Sequence, residues 1–130
     1  MDYSGGAIQL AKKIAKNQEC DITFDTLDIL DERSIAKFRD EFQVIVDKGT
    51  FDAISLSETA AGDKELYVRH SSMMMGEGAL LLITSCNWTE AELLTHFSSH
   101  FNHLETVPTP TFTFGGKTGT STTFCIFKRK

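Results

Sequence analysis

The stretch VIVDKGTFDAISL, residues 44–56, joins three consecutive aliphatic residues directly to an aspartate and a lysine. Phe42 and the three aliphatic residues place apolar side chains on both faces of a strand. Such a pattern is typical of strands in parallel sheets that helices cover on both faces. We therefore predict a buried parallel strand over residues 42–46, followed by Asp47. Because ligands of open α/β sheets bind beyond the carboxyl ends of the strands, Asp47 is a candidate site residue.

Helix and strand patterns alternate along the rest of the chain. Ser4 precedes apolar residues at helical spacing, and residues 21–30 alternate as a strand that ends near Leu27 or Asp28. The next predicted elements are helices over residues 34–38 and 58–75 and a buried strand over residues 79–85. A capping box at Thr89 and Glu92 then opens a helix, whose apolar face is Leu93, Leu94, Phe97 and Phe101. Strands over residues 103–107 and 121–127 complete the prediction.

This order favours an open α/β sheet, mostly parallel, with one late antiparallel strand. The last two strands flank a loop rich in proline and glycine, and they lie close enough in sequence to pair with each other. We find neither an internal repeat nor a linker, so we predict a single domain over residues 1–130.

Composition excludes several classes of function. The net charge of −5 argues against a general binder of nucleic acid, which needs clustered Lys and Arg side chains. Three widely spaced cysteines without a CxxC pair favour a reducing compartment. No signal peptide is visible, and the longest apolar run, residues 79–83, is too short to cross a membrane. We therefore expect a cytoplasmic, soluble protein.

Five stretches of the chain resemble one enzyme family in order and spacing. They are DYS near the start, LDIL, VDKGTFDAISL, LLITSCNWTEAELL and PTPTFTFGGKTGTS. Together they resemble the seven-strand S-adenosylmethionine-dependent methyltransferases, and most closely the branch that methylates lysine on translation elongation factor 1-alpha. The resemblance implies a Rossmann-like sheet of strand order 3-2-1-4-5-7-6, S-adenosyl-L-methionine as the cofactor, protein-lysine N-methyltransferase activity, and elongation factor 1-alpha as the protein partner.

The same resemblance implies a binding site for the nucleoside part of the cofactor. Asp2 would hold the ribose hydroxyls, because a carboxylate can accept hydrogen bonds from both of them. Tyr3 would lie beside the adenine or ribose, Asp28 would face the adenine amino group, and Leu27 and Ile29 would flank the ring. Two alternatives stay open: Asp2 as a charge at a helix start, and Asp28 as part of a solvated acidic stretch.

Asp47 matches the motif that follows strand 4 in this family, beside the cofactor's methyl group and the incoming nucleophile. Lysine methylation needs a neutral amine, whereas a free lysine has a pKa of about 10.4, so we predict Asp47 as a catalytic, orienting acceptor that also contacts the cofactor. Gly49, Thr50 and Phe51 would line the substrate slot. A structural role for Asp47, such as capping the next segment, is the alternative.

Two further segments give weaker signals. Asn87 and Trp88 follow a predicted strand and could border the substrate opening, although they could equally belong to the start of the helix capped by Thr89. GGKTGT, residues 115–120, lacks the earlier glycine of a phosphate loop, so we predict a hairpin there. His96 and His100 are four positions apart but have no clear third ligand, so we predict no metal site.

One family feature is absent from this sequence, which contains no Gly-rich GxGxG turn. Met1 falls where strand 2 of the family should end. We therefore expect a truncated sheet, without strand 1 and most of strand 2, in which two strand edges are open to pairing. This leaves a competing function for the chain, a catalytically inactive fragment that acts only as a protein-binding module.

Overall fold

The computed structural model describes the backbone of residues 1–130 and the side chains of all of them except Phe112, Phe114, Lys117, Thr118 and Thr120. The elements are α1 (Gly5–Asn17), α2 (Glu32–Ile35), a 3₁₀ turn (Ala36–Phe38), β1 (Phe42–Lys48), α3 (Thr50–Ile54), α4 (Ala60–Met74), β2 (Met75–Ser85), α5 (Glu90–Phe97), β3 (Phe101–Val107), β4 (Thr111–Phe114), β5 (Lys117–Thr120) and β6 (Thr123–Arg129).

The main sheet has four strands in the order β1-β2-β6-β3. β1 pairs with β2 in parallel, and β6 pairs with both β2 and β3 in antiparallel fashion. This order corresponds to 4-5-7-6 in the sheet that the resemblance implies, and it confirms the predicted α/β fold with a late antiparallel strand.

The core lies on one face of this sheet. Leu81 and Ile83 of β2 are fully buried there, together with Phe127 of β6. Helices α3, α4 and α5 supply the other half of the core with large side chains that share this cluster, among them Phe51, Tyr67, Val68, Leu93 and Phe97.

The prediction that residues 42–46 form a strand buried on both faces is wrong. The strand forms, but Val44 is 50% exposed and Val46 is 70% exposed. β1 is an edge strand of the main sheet, so it pairs with a neighbouring strand on one side only. The face of β1 that carries Val44 and Val46 is only partly covered.

The strand predicted within residues 21–30 is also wrong. A single parallel bridge forms instead, between Asp2 and Thr26. The amide of Asp2 donates to the carbonyl of Asp25, and the amide of Leu27 donates to the carbonyl of Asp2. A strand needs a partner of similar length. Among the described residues only Asp2 pairs with this segment, so the apolar alternation does not become a regular strand.

Most of the local predictions are confirmed. The Ser4 hydroxyl accepts from the amide of Ala7 at the start of α1, and Thr89 opens α5 with a complete capping box. Phe101 was placed on the apolar face of this helix, but it is the first residue of β3, because α5 ends at Phe97. Residues 111–120 form a hairpin whose turn residues, Gly115 and Gly116, both have positive φ, as two-residue hairpin turns require.

Candidate functional site

A cleft of 760 Å³ opens between the first residues of the chain, the turn at residues 27–30 and the carboxyl end of β1. This volume is typical of pockets that hold a cofactor-sized ligand. The cleft brings together residues from segments that are far apart in sequence. The residues predicted from the sequence that line it are Asp2, Tyr3, Leu27, Asp28, Ile29, Asp47, Gly49 and Thr50.

Asp2 and Asp28 present carboxylates to this cleft. One oxygen of Asp2 accepts a hydrogen bond from the amide of Ser4 at 2.7 Å, and one oxygen of Asp28 accepts from the amide of Leu30 at 2.9 Å. These local bonds fix the orientation of each carboxylate. Among the described side chains, no donor reaches the second oxygen of either group, so both can still accept a hydrogen bond from a ligand.

Asp47 is placed differently. Its side chain is buried, and its oxygens accept from the amide of Thr50 at 2.7 Å, the amide of Phe51 at 2.9 Å and the hydroxyl of Tyr67 at 2.6 Å. The first two bonds satisfy free amides at the start of α3, as a helix start requires. The geometry therefore favours a structural role for this carboxylate, and its direct catalytic role stays a prediction.

Tyr67 is the third hydrogen-bond donor to Asp47. Burial, and then the charge of Asp47, raise the pKa of the Tyr67 phenol well above its ordinary value. The phenol is therefore protonated at neutral pH and acts as a hydrogen-bond donor to the carboxylate. Tyr67 lies on α4, so this bond joins the turn after β1 to the helix that covers the sheet.

The backbone conformation of the turn after β1 depends on Gly49. This residue has a φ of 91°, in the left-handed region that favours glycine. The turn leaves Thr50 exposed at the cleft, and its predicted contact with the substrate stays a prediction. Phe51 does not line a substrate slot, because it is only 1% exposed and packs against Tyr67 and Phe97 in the core.

Asn87 and Trp88 do not join the main cleft. They line a separate depression of 130 Å³ beyond the end of β2. The Trp88 indole donates to the hydroxyl of Ser55 at 3.1 Å and lies under the ammonium group of Lys64, 4.6 Å from the ring centre. Their predicted role at the substrate opening stays a prediction, in a place distinct from the cleft.

Asp52 also belongs to the DKGTFDA stretch, although it was not among the predicted site residues. Its carboxylate accepts from the hydroxyl of Ser85 at 2.6 Å and from the amide of Cys86 at 2.8 Å. These bonds tie α3 to the carboxyl end of β2. The signal was present in the sequence, since an acidic residue in the helix after one strand can reach the end of the neighbouring strand.

His70 was also missed. Its ring is buried, and its Nδ1 lies 2.6 Å from the carbonyl oxygen of Ile29, which can only accept, so this nitrogen carries a proton. The bond holds the segment that carries Asp28 against α4. Tyr67, His70 and Met74 are all buried at helical spacing, and a polar residue in such a stripe is the signal that could have revealed it.

The sequence of the chain matches a known protein family along almost its whole length. Residues 1–122 match the family described as a methyltransferase domain. This chain belongs to the methyltransferase-domain family. The predicted resemblance to methyltransferases is thereby confirmed at the level of the family.

The curated relatives of this methyltransferase domain carry more specific names. The human protein named EEF1A lysine methyltransferase 2 is 39% identical over 99% of this chain and 54% of its own length. The Schizosaccharomyces pombe protein-lysine N-methyltransferase efm4 is 42% identical over 98% of this chain and 56% of its own length. The chain thus spans about half the length of the curated relatives it matches.

Solved structures agree on the fold of the methyltransferase domain. A SAM-dependent methyltransferase from Methanosarcina mazei superimposes with a TM-score of 0.73 at 14% identity, covering 98% of this chain and 79% of the other. The N-methyltransferase NodS from Bradyrhizobium japonicum, in complex with S-adenosyl-L-homocysteine, gives 0.67 at 17% identity, covering 98% and 64%.

The cleft residues fit the nucleoside part of the family's cofactor. Asp2 and Asp28 each offer a carboxylate oxygen as an acceptor, and Leu27 and Ile29 offer apolar surface beside them. Asp47 is already bonded to three donors of the protein. Within the described part of the chain, no helix combines the length and apolar character that a membrane crossing requires.

Proposed function

We propose that this chain forms the nucleoside-binding part of an S-adenosylmethionine-dependent protein-lysine N-methyltransferase that acts on elongation factor 1-alpha. The observation that carries the proposal is the meeting of Asp2, Asp28 and the turn after Asp47 in one cleft of 760 Å³. Membership of the methyltransferase-domain family supports the reaction class. The names of the human and fission yeast relatives support lysine, and the human name supports this protein substrate.

When bound, S-adenosylmethionine supplies a methyl group that its sulfonium already activates. The residues of this chain would bind this cofactor and orient it. Asp2 would accept hydrogen bonds from the ribose hydroxyls, and Asp28 would accept one from the adenine amino group. Leu27 and Ile29 line the cleft and would hold the ring between apolar surfaces.

The turn that follows β1 positions the substrate. A lysine amine attacks only in its neutral form, and alignment with the methyl group contributes more than a strong base does. Asp47 holds residues 48–50 in place through its bonds to α3 and Tyr67. Gly49 and the exposed Thr50 line the cleft and would border the reacting groups.

We further propose a cytoplasmic location for this reaction. Cys20, Cys86 and Cys125 are all free, as is usual for proteins of a reducing compartment. Cell fractionation of the tagged protein tests this, and recovery in a secretory fraction would contradict it.

Calorimetric titration of the chain with S-adenosyl-L-homocysteine tests the cofactor site. We expect saturable binding, weakened about 10- to 100-fold by Asp28→Asn and by Asp2→Asn, because each loses a hydrogen bond to a charged group worth about 1.5–3 kcal/mol. Asp21→Asn is the matched control, since Asp21 is exposed in the same segment but does not line the cleft. Equal binding by all three variants would contradict the assignment.

Methyl transfer is measured separately. The chain is incubated with S-adenosylmethionine and purified elongation factor 1-alpha, and lysine peptides of the factor are examined by mass spectrometry. Methylation that Asp28→Asn reduces supports the complete proposal. Cofactor binding without methylation would keep the cleft assignment and overturn the catalytic competence of this chain.

A further inference from the structure

Residues 28–31, which we call the Asp28 turn, lie outside the main sheet, and the bridge between Asp2 and Thr26 precedes them. Within the turn, the Asp28 carboxylate accepts from the amide of Leu30 at 2.9 Å, and the Asp28 carbonyl accepts from the amide of Asp31 at 3.2 Å. These bonds fix the shape of the turn. They do not fix its position on the fold, because both partners of each bond belong to the turn itself.

His70 supplies a buried polar bond between the Asp28 turn and helix α4. This residue is 1% exposed, and its Nδ1 lies 2.6 Å from the carbonyl oxygen of Ile29. The other ring nitrogen, Nε2, lies 3.5 Å from Nη2 of Arg69, whose guanidinium can only donate. Both contacts require the proton on Nδ1, so the ring donates to the turn in one defined orientation.

The other contacts of this segment with α4 are less specific. Arg69 pairs with Glu32 at 2.6 Å, but both side chains are about half exposed, where water and salt weaken an ion pair. A small buried cluster also joins the segment to α4, and it consists of Leu27, Ile35 and Met74. Apolar contacts of this kind have no preferred direction. The His70 bond is therefore the directional contact that holds the Ile29 carbonyl, and with it the Asp28 turn, in place.

The same helix supports another side of the cleft. Tyr67 precedes His70 by three residues, about one helical turn, and donates to Asp47 near the end of β1 at 2.6 Å. α4 thus binds two sides of the cleft through two buried side chains. The position of Asp28 relative to β1 depends on both bonds.

We propose that His70 is a positioning residue that gives the cleft its preference for adenine. It acts through Asp28, because it holds the turn where the Asp28 carboxylate can accept a hydrogen bond from the amino group of the base. Hypoxanthine, the base of inosine, carries an oxygen in place of this amino group. It therefore offers the carboxylate no donor at that position and brings an acceptor against it. This inference rests on the proposed function and specifies how the cofactor site selects its ligand.

Calorimetric titration with S-adenosyl-L-homocysteine and with S-inosyl-L-homocysteine measures this preference as the ratio of the two dissociation constants. For the unaltered chain we expect the adenosyl compound to bind at least about 10-fold more tightly, because a hydrogen bond to a charged group is made only with adenine. We expect His70→Ala to reduce the ratio to about 3-fold or less, by weakening the binding of the adenosyl compound. His70→Leu fills more of the space without a donor and should behave in the same way.

His70→Asn separates the donor from the ring. The side-chain amide of asparagine can donate from the place of Nδ1 but lacks the rest of the imidazole, so we expect it to restore most of the preference. Thr89→Ala is the control for a general loss of stability, since it removes the cap of α5 and does not line the cleft. We expect this control to leave the ratio unchanged, and circular dichroism confirms that each variant is folded.

A double variant tests whether His70 acts through Asp28. If it does, Asp28→Asn combined with His70→Ala should bind S-adenosyl-L-homocysteine within about 2-fold of Asp28→Asn alone. Independent losses that add would overturn the proposal. An unchanged ratio in both His70→Ala and His70→Leu would also overturn it, as would an equal loss in His70→Asn and His70→Ala.

These results leave the proposed function intact, because in each of them the unaltered chain binds the adenosyl compound. Failure of the unaltered chain to bind either compound would instead overturn the proposed function and this inference together.

Discussion

Replacing Tyr67 by phenylalanine removes the hydroxyl that donates to Asp47 at 2.6 Å and leaves the ring in the core. Both side chains are almost completely buried, with exposures of 1% and 4%, so solvent does not replace the lost donor. A hydrogen bond to a charged group contributes about 1.5–3 kcal/mol. Asp47 keeps its two amide donors, from Thr50 and Phe51, and we therefore expect a loss of about 2 kcal/mol in the free energy of unfolding.

Urea unfolding followed by the fluorescence of Trp88 measures this loss. Trp88 is the single tryptophan, and its ring lies 5.9 Å from Phe51, next to the helix start that Asp47 caps. Tyr3→Phe is the matched control, because Tyr3 is 82% exposed and such a change should stay within about 0.5 kcal/mol. A loss below about 0.5 kcal/mol for Tyr67→Phe would refute the anchoring role of the Tyr67–Asp47 bond.

Three further predictions follow from single contacts. The pKa of Tyr67 is raised in the folded state, so its contribution to stability is complete below the unfolded pKa of about 10 and is lost at higher pH. The free energy of unfolding measured in urea should therefore fall above a pH of about 10, and Tyr67→Phe should reduce this fall. An unchanged pH profile in the variant would contradict this. His70→Ala removes the donor to Ile29, and amide exchange should then accelerate in residues 27–31 but not in β3; uniform acceleration would point to global destabilisation instead. Thr89→Ala breaks the capping box and should cost about 1 kcal/mol in urea unfolding, whereas no loss would show that the cap contributes nothing to α5.

Local patterns predicted most of the secondary structure, because the interactions that set them act over a few residues. The capping box at Thr89 joins residues three positions apart, and the bond from Ala7 to Ser4 spans the same distance. The parallel character of β1 was also predictable from its run of aliphatic residues. Its exposure was not, because the burial of a strand depends on which elements cover its faces.

The candidate site was predictable in part. Asp2, Asp28 and Asp47 were identified from the motifs in which the chain resembles the methyltransferases, and the structure brings all three to one cleft. The bond from Tyr67 to Asp47 could not be identified in this way, since Tyr67 lies 20 positions away on α4, whereas Asp47 is on β1. The same holds for His70, which is 41 positions from the carbonyl it binds.

The sequence by itself determined the order of most helices and strands, the caps at Ser4 and Thr89, and the family that the motifs resemble. Only the tertiary structure decided that Asp47 is turned inward, that Phe51 belongs to the core, and that Val46 faces solvent. The physical reason is that a side chain's role depends on the donors and surfaces that surround it after folding. For Asp47 those donors are two amides of its own turn and a phenol from a distant helix, and the last appears only when β1 and α4 pack together.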